Sequence, residues 1–515
     1  MRLLFCTLLL LSLTFAGWTQ PMNATAIDSL VTRTLRTFEV PGIAVCIIKD
    51  GKVIHSRGYG VRSLDTRQPM DENTLFGIAS NSKAFTTAAL GMLVDAGKLN
   101  WDDKVRKYIP EFKLFDPYAT EEFTIRDLLC HRSGLGLGAG DLMFFPDSSD
   151  FTIPDILHNL QFLKPVTSFR SQFAYDNNLY IVAGEVIARA SGMSWEDFIE
   201  NKILHPLGMT HSAASYDRLH DSSDVIDGHA RVEGRVRVIA RSRSKVDHAA
   251  GGIYSSIADL SKWVLLHLAG GKYGDNKQLF SPGVLRERWA PQTILPLGGP
   301  GPYNTHFAAY ALGFGVSDVK GYKQVTHTGG LEGMVTQITM IPELQLGIIV
   351  LTNQEEGAAF TAITNQIKDS YLGIIGTDRV TEYAARRKEQ LEEEKELTDS
   401  IKAEVALFQS RQTGAVDLSK YTGTYRDPWF GEVVISVKNG KPWFDSKRSP
   451  KLTGELQPYK GNSFIARWKD RSMNADAYIL FSLDERGLAT GIRMKPVSPL
   501  TDFSYDFQDL DFSRQ

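Results

Sequence analysis

Apolar and polar positions along the chain fall into regimes of different period. The run Gly42–Ile48 is apolar and β-branched, Asp50-Gly51 is a turn signal, and Val53–Tyr59 resumes a strand pattern. That combination predicts a β-hairpin. From Ser80 the period lengthens: Phe85, Ala88, Ala89, Met92 and Leu93 recur at the three-four spacing of a buried helix face, and Gly97 follows as a stop. Thr124–Cys130 reads as a short helix ended by Ser133-Gly134. Leu179–Ala190 and Ala258–Leu268 return to the helical period. Val335–Ile341 and Leu346–Leu351 are β-rich and separated by Pro342-Glu343, a second hairpin, with a helix over roughly 358–371. The two hairpins can join in one antiparallel sheet flanked by helices from both ends of the region, leaving the middle mostly helical. Gly134–Gly140 is glycine-rich and reads as a flexible surface loop. A phosphate cradle would need a Gly-Lys-Ser/Thr ending, which this stretch lacks.

The pattern breaks near Asp378. Glu382–Ala406 is rich in Glu, Lys, Arg, Ala and Leu, a solvated helix supported by pairs such as Lys388 with Glu392 and Glu392 with Lys395. It reads as a linker, with a docking helix as the alternative. From about Val416, short aromatic and β-branched runs alternate with turns at Asn439-Gly440, Lys460-Gly461 and Arg486-Gly487. This is an all-β unit, a barrel or a sandwich. At the other end, Met1-Arg2, the apolar run Leu3–Ala16 and small residues at Thr14 and Ala16 have the form of a secretory leader. A membrane anchor is the alternative, for which the run is short. The expected organisation is a leader over 1–20, a main unit over 21–375, a charged helical linker over 376–415 and a small all-β unit over 416–515.

Composition narrows this only a little. Apolar residues make up 43% and charged residues 23% of 515, enough for a sizeable core, and the net charge of −3 gives no basic excess of the kind nucleic acid requires. The expected location is therefore periplasmic or secreted, with no spanning segment once the leader is removed and a small-molecule or peptide substrate as partner. The oligomeric state stays open. Cys46 and Cys130 remain in the mature chain. Buried free thiols are the default for them, and a disulfide between them stays open.

Three short motifs carry candidate chemistry. In Ser80-Asn81-Ser82-Lys83, a helix places Lys83 beside Ser80. A serine hydroxyl needs a neighbour to take its proton, and a lysine can do so only when burial lowers its pKa from about 10.4. If Ser80 opens the helix, its N–H points into the site and is free to bind an oxyanion. Ser242 and Lys245 repeat the spacing in an Arg-rich stretch without a core face and read as surface. In Tyr175-Asp176-Asn177, a tyrosine near a lysine can be pushed toward phenolate and shuttle protons, and Asn177 offers a donor and an acceptor to an amide. In His327-Thr328-Gly329, followed by Gly330, a strand edge with two glycines lets a substrate backbone approach, and Gly330 N–H can complete an oxyanion hole with Ser80 N–H. Each motif alone also fits a packed or surface position. No metal or cofactor is expected. His220, His229 and His248, with Asp221, Asp224 and Asp227, lack a ligand spacing and read as a surface insertion.

In this order the three motifs resemble the serine β-lactamase and penicillin-binding-protein superfamily. The words Leu75–Ser80, Thr124–Gly134, Leu207–Thr210 and Ala249–Tyr254 are similar to its class C-like branch, and the resemblance covers roughly 26–372. It implies an α/β (α+β) fold, a β-lactamase-like antiparallel sheet flanked by helices plus a helical subdomain. It also implies Ser80 as nucleophile, Lys83 as its activator and Tyr175 as general base or acid. Asn177 would hold the substrate amide, and His327 would line the substrate strand and assist Tyr175. Where many β-lactamases carry a lysine, this chain has His327, mostly neutral at pH 7, which puts β-lactam hydrolysis in doubt. Three readings follow: a hydrolase of D-amino-acid peptides or related amides, a carboxylesterase or slow β-lactamase using the same acyl-enzyme, and a catalytically silent binding or scaffold protein.

Overall fold

Strand β1 (Gly42–Lys49) serves two cores at once. Ile43, Val45 and Ile47 belong to one apolar cluster, and Ala44, Cys46 and Ile48 to the other. A strand covered on both faces reads as a continuous apolar run, not an alternating one. In the computed structural model, which describes residues 21–411 and 416–515, β1 turns through Asp50 and Gly51, both at positive φ, into β2 (Lys52–Gly60). The remaining strands of its sheet are β3 (Thr293–Ile294), β4 (Ala308–Tyr310), β5 (Gly315–Val319), β6 (Tyr322–Leu331), β7 (Met334–Ile341) and β8 (Leu346–Thr352). The order is β2-β1-β8-β7-β6-β5-β4-β3, antiparallel throughout, so the two hairpins do join, with β1 against β8. The expected leader lies outside the described residues.

Helices α1 (Ala24–Phe38) and α5 (Gly357–Tyr371) cover the face holding Ile43, Val45, Ile348 and Val350. The other face packs on α4 (Ile257–Leu268), behind which lies α2 (Ser82–Asp95). Phe85 of α2 stacks on Trp263 of α4 at 3.8 Å, a contact worth roughly 0.5–1.5 kcal/mol beyond the area it buries. The largely buried α2 is thus sunk between α4 and α3 (Asn178–Ser191), which is why its Lys83 ends up without solvent.

The charged stretch forms α6 (Arg379–Arg411) and docks at both ends. Arg379 pairs with buried Asp369 at 2.7 Å and Arg387 with Glu356 at 2.8 Å, while Glu394 accepts from Asn474 and Glu404 from Lys460 in the C-terminal unit. Lys388 and Glu392 make the expected exposed pair, at 3.7 Å, whereas Lys395 pairs with Asp399. The last eight strands, from Gly423–Asp427 to Asp511–Arg514, close into an antiparallel barrel. Phe444, Phe464, Trp468, Phe481 and Phe512 fill its interior, as side chains do in small barrels.

Three surface expectations are overturned. Gly134–Gly140 is largely buried, because the barrel covers it, and Gly134, Gly138 and Gly140 supply the positive φ of a tight internal path. His229 is fully buried: its Nε2 accepts from Leu64 N–H and its Nδ1 donates to the Asn353 carbonyl. Ser242 is buried too, whereas Lys245 is exposed, so they share no site. Cys46 and Cys130 are buried free thiols. Among the described residues no helix is long and apolar enough to cross a membrane.

Candidate active site

Ser80 lies on a single 3₁₀ turn, Ala79–Asn81, that runs straight into α2. Ala79 is held at φ +51°, the left-handed region that an alanine avoids at a cost of about 1–2 kcal/mol. Its neighbours fix it there. Ile78 N–H donates to the Ile253 carbonyl, Thr336 Oγ1 donates to the Ile78 carbonyl, and Asn81 Nδ2 donates to Thr336 Oγ1. Strand β6 runs directly beneath. A Cβ on Gly329 would stand 2.4 Å from the Ile78 oxygen, so Gly329 is glycine to admit the Ser80 turn. That corrects the expectation that both glycines clear space for substrate. Gly330, by contrast, is exposed with its nearest neighbour atom 3.9 Å away.

One helical turn after Ser80, the Lys83 side chain is completely buried. Its Nζ lies 2.9 Å from Ser80 Oγ, 2.7 Å from Asn177 Oδ1 and 2.9 Å from the Ala250 carbonyl oxygen. Burial pushes its pKa down to about 7, with Asp141, Asp247 and Asp176 pulling the other way. Asn177 and Ala250 present acceptors only, so they take two N–H bonds of the amine in either charge state. The third position, toward Ser80, carries a proton in the ammonium and a lone pair in the neutral amine.

The Tyr175 phenol faces the Ser80 hydroxyl, and Lys83 Nζ stands 4.9 Å from its ring centre. Burial, with Asp141 adding to it, outweighs the Ser80 hydrogen bond and raises the phenol above its ordinary range. Tyr175 therefore keeps its proton, the reverse of the phenolate expected from proximity to a lysine. Its ring rests 4.1 Å from that of buried His131. His131 Nδ1 accepts from Asp176 N–H, placing the ring proton on Nε2.

Asn177 is not free to hold a substrate by both ends. Its carbonyl is taken by Lys83 and its amide donates to Asp141 Oδ2 at 2.7 Å, leaving one N–H. His327 also has other partners than expected. Its Nδ1 donates to the Thr328 carbonyl, so Nε2 accepts from the Tyr310 hydroxyl at 2.8 Å, and its ring centre is 6.3 Å from that of Tyr175. Burial pushes its pKa down to about 3, so it is neutral at every ordinary pH. Strand β5 pairs with β6 only as far as Thr326, so beyond it the edge of β6 that carries Thr328 and Gly330, still paired with β7 on its other side, is open toward a cavity of about 1040 Å³. Glu332, Glu355 and Asp502 line the same cavity. Glu355 is pushed up to about 7, first by burial and then by the other two carboxylates. Among the described residues no group of His, Cys, Asp or Glu side chains is arranged to hold a metal ion.

Ser80, Lys83, Tyr175, Asn177, His327, Thr328, Gly329 and Gly330 thus meet at one end of one cleft. Sequence reading missed Asp141, His131, Tyr310 and the Ala250 carbonyl. The word Thr124–Gly134 pointed at His131, but nothing local singled out Asp141.

The Beta-lactamase family model matches residues 27–371, and that of a domain of unknown function, DUF3471, matches residues 409–514. The unguisins hydrolase ungD of Aspergillus violaceofuscus is 29% identical over 68% of this chain and 65% of its own length. Protein flp of Staphylococcus aureus is 28% identical over 64% of this chain and 62% of its own. The chain thus spans somewhat less than two thirds of the length of these curated relatives. The octameric penicillin-binding protein homologue of Pyrococcus abyssi superposes with a TM-score of 0.60 at 22% identity, over 95% of this chain and 100% of that one, a likeness of fold.

Proposed function

The chain belongs to the Beta-lactamase family, and from that premise we propose that it is a serine hydrolase that cleaves amide or ester bonds through an acyl-enzyme on Ser80. The observation that carries the reading is the buried Lys83 amine, held 2.9 Å from Ser80 Oγ by two acceptors that leave its third position for the hydroxyl. With a pKa near 7 a large fraction is neutral at physiological pH. Neutral Lys83 accepts the Ser80 proton as Oγ bonds to the substrate carbonyl carbon. The carbonyl oxygen, now an oxyanion, receives the N–H groups of Ser80 and Gly330. Tyr175, still protonated, gives its proton to the departing nitrogen or oxygen as that bond breaks and regains one from Lys83. Water then repeats the sequence on the ester and frees Ser80.

The walls of the cleft bear on substrate class. Neutral His327 supplies no cation for a carboxylate beside the scissile bond, and the neighbouring Glu332, Glu355 and Asp502, all raised by burial, offer it carboxyl groups instead. We therefore favour peptides of D-amino acids or esters without a free carboxylate at that position over β-lactams. The leader-like first twenty residues support export to the periplasm or the medium.

A fluorophosphonate probe tests the reading. Wild-type protein is expected to label once, at Ser80, and Ser80→Ala not at all. Equal labelling of the variant would end the assignment. Turnover of D-Ala-containing peptides, p-nitrophenyl esters and a chromogenic cephalosporin then separates the substrate classes.

A further inference from the structure

The glycine-rich segment that ends at Asp141 is where the two halves of the chain meet. Asp141 is fully buried, and one of its oxygens accepts from both Asn177 Nδ2 at 2.7 Å and Ser504 Oγ at 2.8 Å. Ser504 belongs to the loop between the last two strands of the barrel. Two residues further, the fully buried carboxylate of Asp506 accepts from Gly140 N–H at 2.6 Å and from Leu142 N–H at 3.0 Å, one on each side of Asp141. The approach is so close that a Cβ on Gly138 would lie 2.6 Å from the Phe503 carbonyl oxygen, and the Phe503 ring meets that of Tyr175 edge-on at 5.8 Å. Elsewhere the barrel is seated by Asn159, which donates to the Trp429 carbonyl, and by Arg448, which pairs with Asp150 and Asp155.

We propose that Ser504 and Asp506 are positioning residues: the C-terminal barrel holds Asp141 in place, Asp141 holds Asn177, and Asn177 aims Lys83 at Ser80. This rests on the hydrolase reading of Ser80 and gives the second unit a part in the chemistry. The physical reason is that Asn177 has no other anchor for its amide end. Its Oδ1 meets Lys83 squarely only while Nδ2 is fixed. Asp141 in turn is a buried carboxylate, which stays aimed only while donors satisfy it. One of its close side-chain donors comes from the barrel, and the backbone on both sides of it is clamped by the barrel's Asp506. Ser504 and Asp506 reach the reacting atoms only through Asp141 and Asn177, so their effect is expected on the acylation step.

The test uses full-length protein, a fluorophosphonate probe and p-nitrophenyl acetate. Ser504→Ala is expected to slow labelling about tenfold and to lower kcat with KM unchanged. Ser504→Thr, which keeps the hydroxyl, restores most of the rate. Asp506→Ala loosens both flanks of Asp141 and is expected to be slower still. Should it fail to fold, the Ser504 pair decides alone. Wild-type rates in Ser504→Ala, or equal losses in the Ala and Thr variants, would overturn the proposal while leaving the Ser80 assignment standing. A wild type that does not label at Ser80 would remove both.

Discussion

Two lysines of this chain are buried and both are held below the ordinary range, yet they do different things. Lys83 has no exposed surface and a pKa near 7; Lys368 is 4% exposed with a pKa near 8. Burial is the leading cause in each. Lys368 donates to Gln324 Oε1 at 2.8 Å, sits 3.8 Å over the Tyr303 ring and lies beside the Arg379–Asp369 pair. Lys83 has two carbonyl-type acceptors and a serine hydroxyl, and the hydroxyl opens on a cavity. A lowered pKa thus follows from burial whether or not the group reacts, and marks a site only where it meets a nucleophile and a route for substrate. The sharpest way to break this comparison is to remove each amine. Lys83→Ala is expected to lower kcat/KM for p-nitrophenyl acetate by about a thousandfold or more, the upper range for a general base, and Lys368→Ala to change it less than twofold. Comparable losses in the two would mean that both act through stability.

Next in size is the proton that Tyr175 keeps. Tyr175→Phe is expected to cost about a hundredfold or more on an amide substrate, where the leaving nitrogen must be protonated. On p-nitrophenyl acetate, whose leaving group departs as a stable anion, the loss should be much smaller. Equal losses on the two substrates would take the leaving-group role away from Tyr175.

How much of this was legible beforehand follows distance along the chain. The hairpin at Asp50-Gly51, the helix after Ser80 and the Ser80–Lys83 pair are short-range patterns, and the sequence displays them directly. The pairing of β1 with β8 could be anticipated because two β-rich runs had to find partners. Asp141 could not, because its partners, Asn177 and Ser504, come from two other parts of the chain and only tertiary closure joins them. The same closure misled the reading of Gly134–Gly140. Glycines that look like a solvent loop are there because a barrel more than three hundred residues away presses on them. For Tyr175 the residue type was readable but its protonation was not, whereas the neutral ring of His327 was expected from its type alone. At Tyr175 burial, which no motif displays, wins over the Ser80 hydrogen bond, and at His327 burial and the Lys83 charge act in the same direction.

A smaller effect separates the two lysines by pH. Because neutral Lys83 is the proposed base, acylation rises with pH through about 7 and levels above it, losing about tenfold for each unit below the midpoint. Lys368→Met should leave that midpoint where it is, since nothing links Lys368 to Ser80. His327, neutral down to about 3, adds no second limb near neutrality. A midpoint near 5 or above 9 in a stopped-flow labelling profile would point to a different base.

The smallest effect is one that the lysines share. The folded state of each has a pKa below the ordinary value of about 10.4, so between the two values the unfolded chain binds a proton that the folded chain has released. Folding stability from each group therefore rises with pH, across about 8 to 10.4 for Lys368 and from about 7 for Lys83. Below the folded pKa it sits at a constant deficit. For Lys368 the two-unit gap amounts to roughly 3 kcal/mol at most, against about 1 kcal/mol recovered from the Gln324 hydrogen bond. In urea melts, wild-type protein is expected to gain about 1–3 kcal/mol on Lys368→Met between pH 7 and pH 10. Parallel curves would show that Lys368 is better solvated than its position implies. Lys83→Met should show the same divergence beginning about one unit lower while labelling is lost. Two buried amines would then have one thermodynamic signature and opposite catalytic ones, and only the hydroxyl and cavity in front of Lys83 would distinguish them.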